Sequence, residues 1–106
     1  MKFCVIANLS FSKKATRKSL DDEIKAWLVD KLTWGTAGIG MGTGEHGEPC
    51  YNLEIRFYRE MDMDELYTFI KGKMDSLSGV RGTVSKHDCS HDGSPAPCII
   101  KEQYTR

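Results

Sequence analysis

Apolar positions along this chain recur in two rhythms, every second residue and every third or fourth, and the switches between them predict its elements. Residues 3–9, Phe-Cys-Val-Ile-Ala-Asn-Leu, are short, largely apolar and rich in Phe, Val and Ile. That composition predicts a strand buried on both faces and central in its sheet. Residues 12–18, Ser-Lys-Lys-Ala-Thr-Arg-Lys, read as a polar, basic connector. Ser19 stands three residues before Asp22, a start resembling a capping box, and Asp21, Asp22 and Glu23 suit the positive end of a helix. Ile24, Trp27, Leu28 and Leu32 then mark one buried helical stripe, with Gly35 as its stop.

Residues 35–47 carry six glycines and predict a weak strand around Thr36–Met41 with flexible ends. The next segment is the clearest strand, because Leu53, Ile55 and Phe57 alternate with Asn52, Glu54, Arg56 and Tyr58. Asp62 and Glu65 have capping-box spacing, with Met61 and Leu66 placed as a hydrophobic staple. Leu66, Phe69, Ile70, Met74 and Leu77 form the stripe of this second helix, which Ser78-Gly79 ends. Val80–Lys86 reads as a strand and Cys98–Tyr104 as an optional last one, separated by a loop with Gly93, Pro95 and Pro97. The order strand, helix, strand, strand, helix, strand predicts an α+β, ferredoxin-like βαββαβ two-layer sandwich. In it, two helices cover one face of an antiparallel sheet, and residues 1–106 make a single domain.

Size and charge narrow the functions. A chain of 106 residues with 40% hydrophobic positions can bury one two-layer core without staples. Fifteen basic and fifteen acidic residues cancel, which disfavours a role gripping nucleic-acid phosphates or a polybasic membrane anchor. No run approaches the ~20 apolar residues of a bilayer span. The apolar start is also too short for the core of a signal peptide. A cytoplasmic location is therefore expected, with the four cysteines as reduced thiols or metal ligands rather than a disulfide framework.

The candidate chemistry is sparse. His87, Cys89 and His91, at period two, would share a strand face, and Cys98 on a returning strand could complete a zinc site of nitrogen and sulfur ligands. His46 and Cys50 offer another pair. The spacing matches no short-pair zinc pattern, and the plainer reading is a solvated turn. Gly42-Thr43-Gly44-Glu45-His46-Gly47 fits the string G-x-G-x-x-G. A dinucleotide loop, however, must open a helix, and here a strand follows. Lys13, Lys14, Arg17 and Lys18 form a basic group, yet Tyr58 is the lone aromatic expected on the polar strand face, too little for base stacking. Trp27 falls on the helix stripe and Trp34 at its end. The carboxylates cluster at helix starts, where capping accounts for them.

With no convergent catalytic set, the leading expectation is a small non-enzymatic binding module acting through protein–protein contact, of adaptor or inhibitor type. Trp34, Gly42, Gly44 and Tyr58 are its expected contacts, and self-association is one form of it. A zinc-stabilised domain using His87, Cys89, His91 and Cys98 is the first alternative. A small enzyme or nucleotide-binding protein using the glycine-rich loop 35–47 is the second. Nucleic acid ranks behind these, and no membrane partner is expected.

Overall fold

The computed structural model describes residues 2–31, 34–89 and 98–106. Along them run β1 (Phe3–Phe11), α1 (Lys14–Asp30), β2 (Trp34–Thr43), β3 (Pro49–Phe57), α2 (Glu60–Ser76), β4 (Val80–Asp88) and β5 (Ile99–Thr105). The fold is α+β: two helices and a five-stranded sheet of order β2-β3-β1-β4-β5 in which every neighbouring pair is antiparallel. The optional C-terminal strand is present as β5. No helix among the described residues is long and apolar enough to cross a membrane.

Alternation decides which face is covered. Val5, Ala7, Leu9 and Phe11 of β1, Tyr51, Leu53, Ile55 and Phe57 of β3, and Val80 and Val84 of β4 enter one core cluster. Leu20, Ile24 and Leu28 of α1 and Leu66, Ile70 and Met74 of α2 join the same cluster, so both helices lie on one side of the sheet. Burying each such side chain contributes about 1.5–3 kcal/mol. Trp27 packs edge-on against Phe57 with ring centroids 5.9 Å apart, while its Nε1 donates to Glu65 at 3.0 Å. Lys31 to Glu65 at 2.8 Å and Lys73 to Glu23 at 3.0 Å tie the two helices together along their outer surfaces.

Several expectations need correction. β1 is central but is not buried alike on both sides, because no helix among the described residues covers its reverse face: Asn8 there is exposed. Residues 14–18 are helix rather than connector, and the helix starts at Lys14 with no side-chain cap. Lys, Ala and Arg are good helix formers. Ser19 and Asp22 thus lie inside α1, where Asp22 receives Lys18 one turn back at 2.9 Å. Asp21 is buried and serves packing, not the helix terminus. α2 likewise starts early, at Glu60, with Arg59 as its cap residue. Asp62 is buried and receives Arg59 Nε at 3.1 Å, and Met61 is 64% exposed, so it staples nothing. Leu32, expected on the first helix stripe, lies outside the described residues.

Candidate functional site

The reverse face of the sheet carries the even residues of β1 and β3: Cys4, Ile6, Asn8 and Ser10 beside Arg56, Glu54, Asn52 and Cys50. On β2 the same face is made of glycine, because Gly38, Gly40 and Gly42 stand opposite Glu54, Asn52 and Cys50. The result is a shallow concavity of about 300 Å³, floored by Gly38 and Gly40 and walled by Ile6, Asn8, Asn52 and Glu54. A β-carbon at Gly40 or Gly42 would meet nothing within 4 Å, so close packing inside this chain does not require these glycines.

At the β4 end the face closes over a polar row. Cys4 is buried, with Glu54 Oε1 3.9 Å from its sulfur and His87 opposite it in the β1–β4 ladder. His87 Nε2 is instead 2.7 Å from Ser85 Oγ. Burial and then the Glu54 carboxylate push the Cys4 thiol up to about 11. Burial lowers the His87 imidazole below its ordinary value. Near neutral pH the row therefore holds a protonated thiol and a neutral imidazole, the reverse of the thiolate–imidazolium pair of a cysteine nucleophile.

The outer edge of β2 is the second notable surface. No strand pairs with it among the described residues. Gly44 N donates to Glu48 O at 2.8 Å, and antiparallel ladders alternate bonded and non-bonded pairs. Gly42, Gly40 and Gly38 therefore bond inward to β3. Two details agree. Pro49, which has no N–H, falls opposite Thr43 in a non-bonded pair. Arg17 on α1 bridges the carbonyls of Gly42 and Cys50 at 2.9 and 3.2 Å, where that bonded pair closes. By the same alternation Ala37, Ile39, Met41 and Thr43 aim their N–H and C=O groups outward. Ile39 is packed against the core, Ala37 is exposed and Met41 is 47% exposed. A register shift between Trp34 and Thr36 interrupts the ladder upstream.

The expected contact residues do not form one patch. Trp34 begins β2 opposite Phe57, with Tyr58 next in the chain and 64% exposed, whereas Gly42 and Gly44 sit at the far end of the hairpin. The side chain of Trp34 lies outside what the structure describes. The G-x-G-x-x-G string spans the end of β2 and a hairpin turn and opens no helix. The basic group is partly engaged: Arg17 holds the hairpin carbonyls and Lys18 holds Asp22. On the reverse face β1 and β3 present no aromatic side chain.

The cysteine expectation is corrected. Cys89 and Cys98 form a disulfide across the β4–β5 connection, and Cys4 and Cys50 are free. The closed apposition of the two strand ends brings these sulfurs together, and a disulfide of this kind belongs mainly to oxidising compartments. His87 lies on the reverse face facing Ser85, and His91 lies outside the described residues, as does the loop with Gly93, Pro95 and Pro97. Zinc coordination by Cys89 and Cys98 would first require reducing their bond. Among the described residues no group of three or more His, Cys, Asp or Glu side chains could hold a metal ion. No family model, no curated protein and no solved structure matches the chain.

Proposed function

We propose that this chain is a small non-enzymatic binding module that recruits a protein partner by adding a strand to the free edge of β2. The observation that carries this is the edge itself: ten residues, Trp-Gly-Thr-Ala-Gly-Ile-Gly-Met-Gly-Thr, with no charge and no proline. Exposed edges are normally blunted by charge, proline or bulges, since their unpaired main chain templates further pairing. The opposite edge, β5, follows that rule with Lys101 and Glu102 and a register shift. β2 carries only the shift at its start. Strand addition would take affinity from the main chain and selectivity from Ala37 and Met41. The helix and strand order also supports reading the fold as the ferredoxin-like βαββαβ sandwich, with β5 appended beside β4. Cys4 and His87, protonated and neutral respectively, favour a module without catalysis.

Capture experiments with the wild-type chain and with Ala37→Lys and Met41→Lys test this. Both positions are exposed, so the fold should keep its circular-dichroism spectrum and melting temperature while capture falls about tenfold. Undiminished capture by both variants would remove the edge from the proposal.

A further inference from the structure

We infer that the partner of the β2 edge is a second copy of this chain, joined antiparallel about a twofold axis that passes between Gly40 and its counterpart. This rests on the edge-binding reading above and specifies its occupant. Three features support it.

The first is parity. The outward groups belong to Ala37, Ile39, Met41 and Thr43, which are evenly spaced about Gly40. Antiparallel self-pairing centred on Gly40 sets Ala37 against Thr43 of the second copy and Ile39 against Met41. Every outward donor and acceptor of these residues is then matched, which no shifted register achieves. A single patch that meets its own copy is the commonest way proteins form closed dimers.

The second is charge. β2 has no ionised side chain, so a copy meets no like charge directly across the seam, where it would destabilise. A charged peptide would find no counter-charge on the strand.

The third is apolar surface. Met41 is 47% exposed and Ile39 only partly buried. In this register they lie across from each other and extend the helix-side core from one copy into the next. On the reverse face only glycines meet, so nothing obstructs the two ladders.

Cysteine cross-linking reads the register. The Gly40 pair falls at a non-bonded position, where Cα atoms approach to about 4.5 Å, inside the range a disulfide spans. A β-carbon there meets nothing within 4 Å, so Gly40→Cys leaves the protomer intact. In a Cys50→Ser background, mild oxidation of Gly40→Cys should give a covalent dimer. Gly38→Cys alone should not, but mixed with Gly42→Cys it should. Sedimentation should show a concentration-dependent dimer that Met41→Lys weakens about tenfold. Equal cross-linking at Gly38 and Gly40 would overturn the register, and a monomer at every concentration would overturn the dimer. If that monomer still loses a different protein partner on Met41→Lys, only the identity of the occupant is wrong. If no association of any kind responds to the edge substitutions, the edge-binding reading falls as well.

Discussion

The phenol of Tyr51, fully buried in β3, donates to Asp21 Oδ1 of α1 at 2.9 Å, while Lys25 reaches the other carboxylate oxygen at 2.8 Å. This is the polar bolt that fixes α1 on the sheet. Hydrogen bonds to a charged group contribute about 1.5–3 kcal/mol. Tyr51→Phe should lower unfolding free energy by that amount in urea titration. Asp21→Asn should cost less, because its amide oxygen still accepts the phenol. A Phe variant as stable as the wild type would show that the bolt holds nothing.

The glycines of the sheet should separate into two kinds. Gly82 has φ +135°, and a β-carbon there would lie 2.0 Å from Asn8 O, a main-chain atom that cannot step aside. Gly82→Ala should cost 3 kcal/mol or about that, from strain and clash combined. Gly40→Ala and Gly42→Ala, placed in open space, should instead stabilise the protomer by about 0.4–1 kcal/mol through the unfolded chain. Thermal melts of the three variants decide it. A stability loss at Gly40 or Gly42 would mean these positions have packing demands of their own.

Removing the Cys89–Cys98 bond, which closes a short segment, should destabilise by about 2–3 kcal/mol. In a domain of this size that corresponds to roughly 10–20 °C in melting temperature. β5 should lose hydrogen-exchange protection before β1 and β3 do. Thiol titration of the unreduced, denatured chain should detect only Cys4 and Cys50. Detection of all four thiols would refute the bond.

Stability should fall at both ends of the pH range, for opposite reasons. Above pH 9 the unfolded chain releases the Cys4 proton that the folded state keeps to about 11, so stability declines through that window. Burial raises the phenol of Tyr51 as well and adds to the loss in stronger alkali. In acid, the unfolded chain takes up a proton on His87 near its ordinary value of 6.5, whereas the buried imidazole resists it. Stability is thus lost as pH drops through and below that point. Cys4→Ala should flatten the alkaline limb and His87→Gln the acid limb. Unchanged limbs in both would show that other groups govern the profile.

The two helices and β3 were legible because each has a strong periodic apolar set with polar partners on the far side. Helix starts were misread for a physical reason: Ser19, Asp22, Asp62 and Glu65 have capping spacing, but Asp21 and Asp62 are recruited into buried contacts with Tyr51 and Arg59. Local spacing does not reveal Tyr51, thirty residues from Asp21, and Asp62 is taken by Arg59, the residue at the cap itself. β2 was expected only faintly, since glycine has low strand propensity. The missed signal was its strict alternation, with Ala37, Ile39 and Met41 between Gly38, Gly40 and Gly42. In that strand glycine takes the place that polar residues hold in β3. The approach of Cys98 to Cys89 on a returning strand was legible, but the bond between them was not, because the expected reducing compartment assigned them as thiols or metal ligands.

The two margins of the sheet are chemically unlike, and that sets a limit on growth. β5 ends one side with ionised residues and closes the flank of β4, so a molecule joined through its glycine-bearing margin offers no equivalent surface for the next. On the inferred pairing, assembly stops at a pair instead of propagating into a fibre.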